Sequence, residues 1–137
     1  MHTVTSPLLS FFLAMMLYPE SQILAHQELD SIVGADRSPV FSDRLDLPYI
    51  TALVREILRW HPPSPLGLTS HCVIEDDQYL GYSIPKRSAV ISNIWAMSRD
   101  QSIYDSPELF NPGRFLSDGK LNKLYHDSDY LFGFGRR

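Results

Sequence analysis

The chain has 137 residues, close to the usual size of one domain, roughly 100–150 residues. Twelve basic against sixteen acidic side chains leave a net charge of −4, which excludes an electrostatic nucleic-acid binder built on a basic patch. Apolar residues at 44% and charged ones at 20% exclude a disordered tail, and the one cysteine, Cys72, excludes a disulfide framework or a multi-cysteine metal site.

Between Pro7 and Pro19 runs LLSFFLAMMLY, eleven residues where a membrane-spanning helix needs about 20. Only His2 could lend positive charge ahead of it, so a secretory signal fits no better. Apolar side chains nearly all round residues 8–18 predict a fully buried core helix. Met1 leads straight into this pattern, and the chain reads as beginning inside something larger. Pro19 and Glu20 restart the chain as a second helix, with proline in the first turn and an acid at the positive end. That helix runs to about Ile32, and Gly34 fits as its stop. Residues 35–46 form a polar connector with one short helical turn.

The clearest signal runs from Leu47 to Trp60. Ile50, Leu53, Val54, Ile57 and Leu58 recur at helical spacing, and His61-Pro62-Pro63 ends the helix. Beyond Ser64 the texture changes. Pro65, Gly67, Gly81 and Pro85 punctuate β-like pieces around 68–74, 79–84 and 88–93, and a short helix follows near Trp95 to Arg99. The remainder, with Pro107, Pro112, Gly113 and Gly119, reads as ordered loop up to an aromatic and glycine cluster at Tyr130–Arg137. A stretch of nearly 40 residues so poor in regular structure either carries function or wraps something. With no closing element after it, this end too reads as cut.

On spacing alone, Glu56 and Arg59 are neighbours three apart on the helix and away from its apolar stripe. They describe an exposed ion pair worth about 0.3–0.5 kcal/mol. The five histidines, His2, His26, His61, His71 and His126, form no metal-binding spacing. Gly133 and Gly135 make half of a phosphate loop at most, with no helix or lysine to complete it. No Gly-x-Ser-x-Gly elbow occurs and Cys72 has no base partner in sequence, so nucleophilic catalysis is unsupported.

Taken in order, however, three segments resemble the cytochrome P450 family, the haem-thiolate monooxygenases. Glu56-Ile57-Leu58-Arg59 matches its ExxR helix. Phe110-Asn111-Pro112-Gly113-Arg114-Phe115 looks like its PERF segment, with Gly113 in place of the acid. Phe132-Gly133-Phe134-Gly135-Arg136-Arg137 is similar to the opening of its haem-binding loop, FxxGxRxC. Gly81-Tyr82-Ser83-Ile84-Pro85-Lys86 and Ser98-Arg99-Asp100 resemble the family's GYxIPKG and HRD, and the likeness leans towards fungal members.

The resemblance implies a mainly α fold with a small β portion, one partial P450 domain over 1–137. Its parts are apolar helices at 1–34, the ExxR helix at 47–60, β segments at 64–93 and the PERF-like and haem-loop segment at 94–137. It implies a buried charge cluster of Glu56, Arg59 and Arg114, against the exposed pair that spacing suggests. It places His71 and Arg137 at the haem propionates, and Phe132 and Gly135 in the haem loop, with Phe132 and Trp95 serving packing. It implies haem as cofactor, a small organic substrate, insertion of one oxygen atom from O2 and electrons from an NADPH-dependent reductase. The full-length protein would sit at the cytoplasmic face of the endoplasmic reticulum membrane, held by an anchor upstream of Met1.

Two departures bear on activity. Met1-His2-Thr3 falls where the Asp-Thr end of the family's oxygen-handling helix belongs, and the thiolate cysteine belongs two places beyond Arg137. Cys72 lies in the β segment and cannot replace it, so no iron ligand is assigned and the chain by itself reads as inactive. The competing readings are a truncated or pseudogene-like remnant acting at most as a helical interaction module, and an unrelated small α+β domain. A downstream x-Cys-x-Gly codon run would separate the first possibility from an enzyme.

Overall fold

The computed structural model describes residues 4–67, 69–122, 130–131 and 133–134, together with the backbone of residues 2 and 3. Tyr18-Pro19 splits the apolar start into two helices, α1 (His2–Leu17) and α2 (Pro19–Ile32), which meet at 105°. Proline, lacking an N–H, is at no disadvantage in the first turn of α2. At the far end the N–H groups of Val33 and Gly34 both reach the Leu29 carbonyl, at 2.8 and 3.3 Å. Gly34 takes the left-handed φ of 75° that this cap needs. A 3-10 turn, Phe41–Asp46, leads into α3 (Pro48–Trp60).

Only one face of α1 is covered by the described residues. Ser10, Ala14 and Met15 are buried, whereas Leu8, Leu9, Phe12, Leu13, Met16 and Leu17 are exposed. The expectation of a fully buried helix is therefore corrected, because α2 and α3 approach α1 from a single side. No single helix among the described residues is long and apolar enough to cross a membrane.

The strands form three separate antiparallel ribbons. Strands β1 (His71–Cys72) and β4 (Ala89–Val90) pair His71 with Val90, and they enclose the hairpin of β2 (Asp77–Tyr79) and β3 (Tyr82–Ile84). The expected single piece at 79–84 is thus the end of one strand and the whole of the next. The chain turns at Leu80 and Gly81, whose φ angles of 50° and 84° suit the tight hairpin that right-twisted strands favour. After the short helix α4 (Ile94–Met97), a 3-10 turn at Pro112–Phe115 leads into a third ribbon, β5 (Leu116–Ser117) with β6 (Lys120–Leu121). The order of elements gives a mainly α chain with a small β portion.

The core lies where α3 meets α1, α2 and the 110–115 segment. Ala14, Met15, Ala25, Leu53, Ile57 and Phe110 are buried together. Tyr18, Trp60 and Phe110 close the elbow between α1 and α2, their ring centres 5.2–6.1 Å apart in tilted and edge-to-face pairs. A second cluster, Ala52, Tyr104 and Phe115, covers the opposite flank of α3. Two flanks of this helix are therefore buried, which a one-stripe reading of its periodicity does not capture.

Candidate functional site

Helix α3 carries the chain's main polar site because it is fixed at both ends. At its start no side chain of Leu47 caps it. The Glu28 carboxylate, reaching across from α2, accepts the N–H groups of Tyr49 and Ile50 at 2.8 and 2.9 Å. An anion at this end of a helix also suits the helix dipole. At the other end, the His61 ring nitrogen Nδ1 shares a 3.0 Å hydrogen bond with the Ser10 hydroxyl of α1.

Between these anchors Glu56 and Arg59 are both wholly buried, so the exposed-pair reading of their spacing is corrected. The segment from Ser98 to Phe115 folds over this face of α3 and excludes water. Arg59 donates Nε–H and Nη2–H to the two Glu56 oxygens at 2.7 and 2.8 Å. Its remaining donors meet the carbonyls of Ser98 and Pro107 at 2.8 Å each, and that of Leu109 at 3.3 Å. All five guanidinium N–H groups thus have acceptors. Glu56 also accepts the Asn111 N–H at 2.8 Å and Arg114 Nε–H at 3.2 Å. Arg114 spends its other donors on the carbonyls of Asp105, Ser106 and Leu109, at 2.6–3.4 Å. One carboxylate and two arginines therefore stitch the loop to the helix. Asn111 shapes the loop, its side chain accepting the Gly113 N–H at 2.9 Å.

Sequence reasoning missed most of these partners. The carbonyls and the Asn111 N–H lie 39–55 residues from their partners on α3 in sequence, beyond the reach of any helical spacing. Arg99, singled out in sequence only as the middle of the HRD-like run, lies 3.2 Å over the Trp95 ring and donates to the Trp60 carbonyl at 2.8 Å, contacts that the motif did not indicate. Burial lowers the Arg99 pKa, with the Glu108 carboxylate at 3.5 Å opposing that shift.

His71 lies on β1 away from this cluster and is largely exposed. Together with Thr69, Ser92, Tyr130 and Leu131 it lines a cleft of about 120 Å³ that reaches Gly133. Phe132, Gly135 and Arg137 lie outside the described residues. Cys72 is an exposed free thiol whose sulfur lies 3.7 Å from the Val73 carbonyl oxygen, and it does not line the cleft.

The family model described as cytochrome P450 matches residues 1–137. The chain belongs to the cytochrome P450 family. Among its relatives, cytochrome P450 monooxygenase claR of Ampulloclitocybe clavipes is 48% identical over 137 residues, covering 98% of this chain and 25% of that protein. O-methylsterigmatocystin oxidoreductase of Aspergillus flavus is 46% identical over 136 residues, covering 98% of this chain and 25% of the other. A solved structure of a zebra fish cytochrome P450 with abiraterone superposes with a TM-score of 0.84 at 35% identity, over 99% of this chain and 30% of that one. The chain spans about a quarter of the length of these curated relatives.

Haem is the cofactor of this P450 family, and the described residues fit part of it. Thr69, His71 and Ser92 line the cleft together with apolar Ile94 and Leu131, residue types suited to a carboxylate-bearing edge. Among the described residues no group of three His, Cys, Asp or Glu side chains could hold a metal ion directly.

Proposed function

We propose that this chain is the part of a haem-dependent monooxygenase that frames one edge of the cofactor and braces the approach to its binding loop. The whole protein would insert one oxygen atom from O2 into a small organic substrate, taking electrons from an NADPH-dependent reductase. It would work at the cytoplasmic face of the endoplasmic reticulum membrane. The observation that carries the reading is the family match along all 137 residues, joined to relatives whose names are those of monooxygenases. The 137 residues act together as one partial P450 domain.

When bound, a haem with a thiolate on its iron supplies the electron density that favours O–O cleavage. The chain's own residues do the holding. His71, with Thr69 and Ser92 beside it, donates hydrogen bonds to one propionate, and Arg137 pairs with a propionate through its guanidinium. Phe132 and Gly135 shape the haem loop, the glycine allowing close backbone approach. The Glu56, Arg59 and Arg114 cluster is structural: it holds residues 98–115 against α3 and so fixes the ground from which the loop departs.

By themselves the 137 residues are inactive as an oxygenase in this reading, since their one cysteine, Cys72, lies exposed on β1 and outside the cleft. The test is to express the full-length protein carrying this segment, reduce it under carbon monoxide and record the Soret band. A thiolate-type carbonyl band and reductase-dependent oxygenation are expected. A full-length protein that binds no haem would overturn the proposal.

A further inference from the structure

Two tyrosines stand between the charge cluster and the His71 cleft. Tyr104 is buried, and the guanidinium carbon of Arg59 lies 5.3 Å from the centre of its ring, within cation–π range. Its hydroxyl meets that of Tyr130 at 3.3 Å. Tyr130 lines the cleft beside His71, and its carbonyl accepts the Gly133 N–H at 3.3 Å. Burial, and then the contact with Tyr104, pushes the Tyr130 phenol far above its usual pKa; the charges of Arg59 and Glu56 also act on it. The phenol stays protonated, so its hydroxyl can hold the same contact throughout the physiological range. An unbroken path of contacts leads from Glu56 through Arg59, Tyr104 and Tyr130 to the Gly133 amide.

We infer that Tyr130 is a positioning residue that, through Tyr104, ties the start of the haem loop to the Glu56–Arg59–Arg114 cluster and so sets where the loop stands beside His71. The haem assignment of the loop rests on the proposed function, whereas the link between cluster and loop does not. Nothing in the spacing of motifs points to Tyr130, because its partner lies 26 residues away on a loop.

The test uses the full-length protein carrying this segment, with Tyr130→Phe, Tyr104→Phe and the double variant. Each single change keeps the ring and removes one hydroxyl of the same pair. In the haem-free protein, either single variant should speed hydrogen exchange at the Gly133 amide about fivefold, with no further gain in the double. The α3 amides should keep their protection. In the haem-loaded protein, the thiolate-type share of the carbonyl spectrum should fall with the same lack of additivity. Unchanged Gly133 exchange in Tyr130→Phe, or additive single effects, would overturn the inference. So would an equal loss of protection along α3, which would make the pair a general stabiliser. A wild-type protein without a thiolate-type band overturns the haem reading alone, and the exchange measurement still decides the link.

Discussion

All five donors of Arg59 are in use, so no other side chain can take its place without loss. Lysine would keep the charge but offer three donors on a flexible stem, leaving buried carbonyls among Ser98, Pro107 and Leu109 unpaired. Arg59→Lys is expected to cost about 2 kcal/mol or more in the full-length protein, and Glu56→Gln about 3–5 kcal/mol, because two arginines then lose their counter-charge. Urea denaturation midpoints measure both. A second residue-scale expectation concerns Asp43, whose carboxylate receives Arg37 at 2.7 and 2.9 Å and the Val40 N–H at 2.9 Å. The Arg37 hydrogen bond, and then that of Val40, holds its pKa below the usual value. A depressed carboxylate contributes its stabilisation above the unfolded value of about 3.9 and loses it as pH falls through the lower folded one. The Val40 amide resonance should therefore titrate with a midpoint below about 3.9, and Asp43→Asn should abolish that titration. The identities of Glu56, Arg59 and Arg114 were legible in sequence only as an ordered set of motifs. Spacing placed the first two in water, since a helical period cannot show a loop that folds back from 50 residues away.

At the scale of elements, α3 depends on a cap borrowed from its neighbour. Glu28→Ala would leave the Tyr49 and Ile50 amides without their acceptor, at an expected cost of about 1–2 kcal/mol. Glu28→Gln should recover part of that loss, because an amide oxygen still accepts but brings no charge. Thermal unfolding of the full-length variants reads the difference. The period of α3, the proline start of α2 and the glycine stop at Gly34 were all visible in sequence, because each is a local matter of backbone or of one face. Glu28 was not, because its partners lie 21 and 22 residues on. The β5–β6 ribbon was legible in principle: Asp118-Gly119 between Leu116-Ser117 and Lys120-Leu121 is a two-residue hairpin signal. Its flanks are too short to announce themselves as strands.

For the molecule as a whole, exposed area is the telling quantity. The chain has 10226 Å² of accessible surface at 15.7 kDa, whereas a folded monomer of that mass is expected to show about 7,300 Å². Large apolar side chains contribute to that exposed surface. Leu8, Leu9, Phe12, Leu13, Met16 and Leu17 of α1 are each about half exposed or more, a contiguous patch of the kind that marks an interface or an aggregation site. Isolated, the 137 residues should self-associate at micromolar concentration, seen by light scattering, and should lack a cooperative melt of the monomer. Leu9→Lys with Met16→Glu, at two exposed positions, should reduce the scattering. The same isolated chain, mixed with haem and reduced under carbon monoxide, should give no thiolate-type band, because its one thiol lies outside the cleft.

The distance in sequence between Arg59 and its acceptors also imposes an order in time. On the ribosome, α3 is complete before Ser98, Pro107 and Leu109 exist, 39, 48 and 50 residues later. At roughly 5–20 residues per second, translation leaves Glu56 and Arg59 without those partners for about 2–10 seconds. Burial of the pair comes only when the later loop arrives and displaces water, so the charge cluster is a late product of folding that cannot form while α3 is still near the end of the chain.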